Sequence, residues 1–291
     1  MRALIGASLA VLATVAALAQ DQPTFRTGTR IVPMPTMVTD KQGRFVPDLE
    51  EGEFTVLDNG KPQEIILFEN TVQPFKVVVL LDFSASMTVH LKLLKLAAEQ
   101  FILRMLPADE AIVGAFSSKI QFSGGFTSNR DALIGSLQDM QYGNETRLYD
   151  ALDEGIKLLE PLEGRRVVLV LTDGEDFGSR LGQGTVRERA QRNDVMIYAI
   201  GFRSQIGGQV SNPDRDLRKL AEATGGGYFE LKRNDELGPT FTRVAQELHS
   251  LYTLGFAPAA LDNKEHKLQV RMKQTDHKAR TRATYIASLE D

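Results

Sequence analysis

Val77-Val78-Val79-Leu80-Leu81-Asp82-Phe83-Ser84-Ala85-Ser86-Met87 is an unbroken apolar run that ends in an acid and two hydroxyls. A run with no polar alternation has no wet face, so it reads as a central parallel strand covered on both sides. Its carboxyl end brings one carboxylate and two hydroxyl oxygens into a single turn, in the pattern D-x-S-x-S. Hard oxygen donors at the carboxyl edge of a parallel sheet suit a hard divalent cation such as Mg2+. Asp and Ser also cap helices, and Ser86 precedes a helical segment, so the motif alone stays open between capping and binding.

Around this run, from Phe75 to about His249, apolar strands alternate with amphipathic helices. The predicted strands are Val77 to Asp82, Ala111 to Phe116, Arg166 to Thr172, Val195 to Phe202 and Tyr228 to Leu231. Between them lie helical segments near Val89 to Met105, Arg130 to Met140, Leu148 to Leu159, Val186 to Asn193, Asp214 to Thr224 and Asp235 to Leu251. In the first helix Leu91, Leu94, Leu96, Ala97, Phe101, Ile102 and Met105 recur at helical spacing. The alternation predicts an α/β domain over residues 73–250, a doubly wound, mainly parallel, Rossmann-like sheet with helices on both faces.

Both flanks are β-patterned. Residues 20–72 carry the strand-like pieces Ile31 to Val38, Phe54 to Leu57 and Ile65 to Phe68, and Asn59-Gly60 between two of them is a hairpin signal. In residues 251–291, His266, Leu268, Val270 and Met272 alternate with Lys267, Gln269, Arg271 and Lys273, and a second run extends from Ala279 to Ile286. The two flanks are expected to pair into one small β-rich domain into which the α/β domain is inserted.

The chain has 291 residues, 42% of them hydrophobic, enough for a sizeable core, and a net charge of -4 argues against a broad nucleic-acid-binding surface. Met1-Arg2, the apolar stretch Ala3 to Ala19 and the closing Ala17-Leu18-Ala19 form the pattern of a secretory signal over residues 1–19. Export to the periplasm or the exterior is the expectation. With no cysteine, the chain has no disulfide, no thiolate ligand and no cysteine nucleophile.

Two further loops supply oxygen donors at the same predicted edge. They are Asn144-Glu145-Thr146, ahead of Leu148-Tyr149-Asp150-Ala151-Leu152, and Leu171-Thr172-Asp173-Gly174-Glu175-Asp176, at the end of another wholly apolar strand. With these residues in view, the chain resembles a von Willebrand factor type A domain carrying a metal-ion-dependent adhesion site. That family's pattern falls on Asp82, Ser84 and Ser86, on Thr146, and on Asp173 in its T-D-G context. The wider layout is similar to exported bacterial proteins, abundant in Acidobacteria, that contain a VWFA-related domain. Ala85 stands where Gly is usual, and Phe83 is bulkier than usual. The resemblance implies that Ser84, Ser86 and sometimes Thr146 bind a divalent cation directly, Mg2+ foremost with Mn2+ or Ca2+ as alternatives. Asp82 and Asp173 then act partly through water, and a protein partner supplies an Asp or Glu carboxylate.

The expected function is a non-enzymatic, metal-dependent protein-binding module. Two alternatives stand beside it: a Mg2+-dependent hydrolase or phosphotransferase with Asp82 as nucleophile, and a structural envelope protein without a working ion site. The first needs a second acid where Ser84 stands. Glu145, Glu175 and Asp176 read first as solvated loop acids, with tuning of a bound ion as the alternative. His90, His249, His266 and His277 show no ligand spacing. Lys264, Lys267, Arg271, Lys273, Lys278, Arg280 and Arg282 read as a solvated basic sheet face, with an anionic envelope polymer as its sharper possible ligand.

Overall fold

The computed structural model of the protein describes residues 30–202, 205–206, 209–210, 215–231 and 237–288. The expected export signal at 1–19 lies outside them, as do the helix starts expected at Asp214 and Asp235. No described helix is long and apolar enough to cross a membrane.

In chain order the elements are β1 (Val32–Thr39), β2 (Phe54–Asp58), β3 (Lys61–Gln63), β4 (Leu67–Glu69), β5 (Phe75–Asp82), α1 (Leu91–Ile102), β6 (Glu110–Phe116), β7 (Ile120–Phe122), α2 (Arg130–Ser136), α3 (Leu148–Leu159), β8 (Arg165–Thr172), α4 (Gln183–Arg192), β9 (Val195–Phe202), the short pair β10 (Gln205–Ile206) and β11 (Gln209–Val210), α5 (Arg215–Ala223), β12 (Tyr228–Leu231), α6 (Leu237–His249), β13 (Tyr252–Phe256), β14 (Glu265–Met272), β15 (Lys278–Arg280) and β16 (Thr284–Ile286).

A six-stranded sheet runs β12-β9-β8-β5-β6-β7. It is parallel except for β7, which pairs antiparallel with β6 at one edge and which the sequence pattern did not show. The apolar run of β5 is central because it must be covered twice. Val77, Val79 and Leu81 pack beneath α1 and α6, with Leu94, Phe101, Phe241 and Leu248. Val78 and Leu80 pack against α3, with Ala151, Leu152 and Ile156. All five are completely buried, each contributing about 1.5–3 kcal/mol of transfer free energy. On α1 the apolar face departs from expectation at two positions: Leu96 is exposed and Ala98 is buried.

The flanks form two four-stranded sheets, β15-β1-β13-β4 and β16-β14-β2-β3, over one shared core. N-terminal β2 pairs with C-terminal β14, Val56 opposite Val270 and Phe54 opposite Met272. Asn59 and Gly60, with φ of 48° and 79°, make the β2–β3 turn in the left-handed conformations that those residues tolerate. The run expected from Ala279 to Ile286 is two strands: β15 pairs with β1, and β16 with β14. The break falls where Thr281 and Arg282 turn to donate hydrogen bonds to the carbonyls of Pro35 and Pro33.

Arg280 and Arg282 therefore do not belong to a solvated face. Arg282 is buried and pairs with Asp194, while Arg280 pairs with Glu247 of α6 and donates to the Gly226 carbonyl. The exposed remainder is Lys264, Lys267, Arg271, Lys273 and Lys278. Two histidines are likewise satisfied inside the fold: His266 between Asp58 and Asp262, and His249 against Asp109.

The two β sheets grip the α/β domain at the edge opposite the D-x-S-x-S loop. Buried Arg165, the first residue of β8, donates to the carbonyls of Leu248 and Leu251. Fully buried Asp109 accepts from the amides of Phe75 (3.1 Å) and Leu106 (2.6 Å), and its Oδ2 lies 2.8 Å from His249 Nε2. Asp109→Ala orphans two buried amides and releases the end of α6, at a cost of about 3 kcal/mol. Urea unfolding checks this, and a loss below about 1 kcal/mol contradicts the clamp.

Candidate metal centre

β5 pairs in parallel register with β6 on one side and β8 on the other. The chain proceeds from β5 to β6 in one direction and returns to build β8 and β9 in the other. The carboxyl end of β5 is therefore the point where strand order reverses, and side chains there enter a crevice rather than a packed layer. Asp82 is the last residue of β5 and Thr172 the last of β8. Leu81 stands opposite Leu171, which sets Asp82 beside Thr172 and the next residue, Asp173, at the same edge.

The Asp82 carboxylate is fully buried and both of its oxygens are engaged. Oδ1 accepts from the Ser84 amide at 2.9 Å, and Oδ2 accepts from the Thr172 hydroxyl at 2.6 Å. The Thr172 hydroxyl in turn accepts from the Gly174 amide at 2.9 Å, fixing the turn that carries Asp173. Thr172 is thus the functional neighbour that the sequence reading did not single out. Its signal was the T-D-G context itself, where a hydroxyl precedes the acid.

Ser84 and Ser86 place their Oγ atoms 3.0 Å apart. Neither Ser86 nor Thr146 caps a helix. The turn Thr88–His90 has Met87 at its N-cap, α1 has His90 and α3 has Arg147, and none of these ends receives a side-chain cap. The capping alternative for these hydroxyls is thereby removed. Thr146, nearly buried, exchanges two backbone hydrogen bonds with Phe177, at 3.0 and 2.8 Å. That bridge ties the Thr146 loop to the loop that begins at Asp173.

A second tie runs from the Gly143 amide to the Phe83 carbonyl, 3.0 Å away. A Cβ at Gly143 would stand 2.5 and 2.6 Å from the hydroxyls of Ser118 and Ser117, closer than real contacts come. Glycine is what lets this loop lie close against Ser117 and Ser118, the residues that follow β6. Behind it, the Asp150 carboxylate accepts from the amides of Arg180 and Leu181 and from the Arg147 guanidinium. Burial raises the Asp150 pKa, but Arg147 and the two amides outweigh it and hold the group below the ordinary range. Asp176 accepts from Ser179 Oγ and the Tyr149 amide, so it braces the start of α3, while Glu145 and Glu175 are exposed.

The electrostatics of Asp82 are unusual for a surface-edge acid. Burial pushes its pKa up to about 6 despite hydrogen bonds from Ser84 and Thr172, and nearby Asp173 pushes in the same direction. The edge therefore carries two buried carboxylates, with three hydroxyl side chains on its loops. No group of three or more His, Cys, Asp or Glu placed to hold a metal occurs among the described residues. The candidate set, two acids and three hydroxyls, is of a different kind.

A sequence model of the von Willebrand factor type A domain matches residues 76–243. This chain belongs to that family. The match covers β5 to α6, lying inside the expected 73–250. Solved structures with this fold include BatB of Bacteroides thetaiotaomicron (TM-score 0.50, 17% identity, 60% of this chain and 97% of that one). A von Willebrand factor type A protein of Catenulispora acidiphila has TM-score 0.54 and 11% identity over 90% of this chain and 74% of the other. Proximal thread matrix protein 1 of the mussel byssus, solved with zinc in its MIDAS motif, has TM-score 0.53 and 16% identity over 64% of this chain and 48% of that one. No curated protein matches the chain.

A raised carboxylate pKa has a definite sign in stability. Folded Asp82 holds its proton to higher pH than the unfolded chain does, so stability falls as pH rises from about 4 through 6 and the penalty is complete above that. In EDTA, Asp82→Asn is expected to flatten this part of the stability profile, removing a penalty on the order of 3 kcal/mol. Denaturant titrations at pH 4 to 7 measure it, and parallel profiles for the two proteins contradict the assignment.

Proposed function

We propose that the protein is an exported, non-catalytic binding module in which Asp82, Ser84, Ser86, Thr146 and Asp173 hold a divalent cation, Mg2+ foremost, that captures an Asp or Glu carboxylate of a protein partner. The observation that carries this reading is the pair of hydroxyls at Ser84 and Ser86, 3.0 Å apart and capping nothing. Neighbouring oxygens of an octahedron with bonds of about 2.1 Å lie about 3.0 Å apart, so the turn already presents two ligands at the spacing such an ion requires. Buried Asp82 and Asp173 supply the negative charge, and the burial of the Asp82 carboxylate, with a smaller contribution from nearby Asp173, is the cost a cation would offset.

When bound, a cation held by two acids and several hydroxyls supplies an electrophile able to accept one more carboxylate oxygen. Asp82 orients: its two oxygens fix the Ser84 backbone and the Thr172 hydroxyl, and through them both flanking turns. That engagement also supports the non-catalytic reading, since an attacking carboxylate needs an oxygen open to a substrate, and this one is fully buried with both oxygens engaged. The mussel protein with zinc at its MIDAS motif supports the suitability of this fold for such an ion. Export rests on the residue 1–19 pattern.

A pull-down from an envelope extract, run in Mg2+ and then eluted with EDTA, tests the reading. Binding released by EDTA and reduced at least roughly ten-fold by Ser86→Ala, with folding intact, is the expected result. Retention indifferent to EDTA and to Ser86→Ala contradicts it.

A further inference from the structure

Among the described residues the three most exposed large apolar side chains are Val89 (82%), Phe177 (76%) and Tyr142 (70%). They belong to three different loops, and each loop carries part of the candidate metal set. Val89 lies in the single turn Thr88–His90, three residues after Ser86. Tyr142 directly precedes Gly143, which is hydrogen-bonded to Phe83. Phe177 is the residue that exchanges two backbone bonds with Thr146.

Phe177 and Tyr142 project from backbone that is already fixed. Phe177 is pinned on both its N–H and C=O, and Tyr142 is held on both sides, by the Gly143–Phe83 bond and by the Gln121 side chain donating to the Gln141 carbonyl at 3.3 Å. Large apolar groups on a pre-ordered backbone lose little entropy when covered, which is the property of an interface anchor. Three large exposed apolar residues on the three loops of one polar centre are also unlike ordinary surface, where such residues are scattered singly. The local charge narrows the occupant further. Glu145 and Glu175 are exposed on the Thr146 and Asp173 loops, so a partner bringing more than one acid meets repulsion that the ion does not offset.

We infer that the occupant is a polypeptide segment presenting a single Asp or Glu with large apolar residues within two or three positions, and that Val89, Tyr142 and Phe177 receive those neighbours. This rests on the carboxylate-binding reading and names its specificity. Acid-rich segments and anionic polymers are disfavoured by the same two glutamates.

A random peptide library displayed on phage, selected on the full chain in Mg2+ and eluted with EDTA, tests it. Enriched peptides are expected to share one acid flanked by aromatic or large aliphatic residues. The strongest such peptide is expected to bind a triple variant, Val89→Ser with Tyr142→Ser and Phe177→Ser, roughly 100-fold more weakly or worse. Stabilisation of that variant by Mg2+ alone stays at the wild-type level. Enrichment of acids without apolar flanks, or of acid runs, overturns this inference and leaves the carboxylate-binding reading standing, as does undiminished affinity of the triple variant. Failure of EDTA to release any acid-containing peptides overturns the reading beneath it, and the inference with it.

Discussion

The hydrogen bond from the Thr172 hydroxyl to Asp82 Oδ2, 2.6 Å long and fully buried, is the contact on which the functional edge depends. It joins the last residues of two central parallel strands, and a bond to a charged acceptor in such a place contributes roughly 1.5–3 kcal/mol. The other carboxylate oxygen sets the Ser84 turn, and the Thr172 hydroxyl also sets the Gly174 turn. One acid thus fixes the loops that carry Ser84, Ser86 and Asp173. Two backbone ties, Gly143 to Phe83 and Thr146 with Phe177, bring the third loop to them. The cost of this arrangement is a carboxylate that burial makes reluctant to ionise, a cost that the proposed cation would offset.

At the opposite edge the physics is of another kind, because the buried charges described there meet groups of the chain itself. Arg165 holds the carbonyls at the end of α6, Asp109 faces His249, and Glu247 pairs with Arg280 and accepts from the Tyr198 hydroxyl. A displacement of α6 has to break these contacts or carry β13 and β15 along with it.

Much of the α/β domain was legible because burial on both faces leaves an unmistakable run, as at Val77 to Leu81, and because helices such as α3 show a full apolar face. Phe54 and Val270 were placed in one β unit by their alternation and now stand in adjacent strands. What stayed hidden depended on contacts distant in sequence. Short β7 has no room for a period, and the split between β15 and β16 is set by Arg282 reaching Pro33 and Asp194. The misreading of Arg280 and Arg282 has the same origin: alternation gives the face of a strand, but not what packs against it. At the candidate centre the five residues were nameable from their motif; Thr172 was signalled by its T-D-G context but takes its role only from the hydrogen bonds to Asp82 and Gly174, and Gly143 becomes visible only when clearances are known.

The central claim, that the edge is built around a cation, is tested most directly by crystals grown or soaked with Mn2+ and measured at a wavelength where manganese scatters anomalously. A single strong anomalous peak is expected within bonding distance of the Ser84 and Ser86 hydroxyls, beside Asp82 and Asp173, with its loss on Asp173→Ala. Well-ordered serine hydroxyls with no peak between them, at saturating Mn2+, would contradict it.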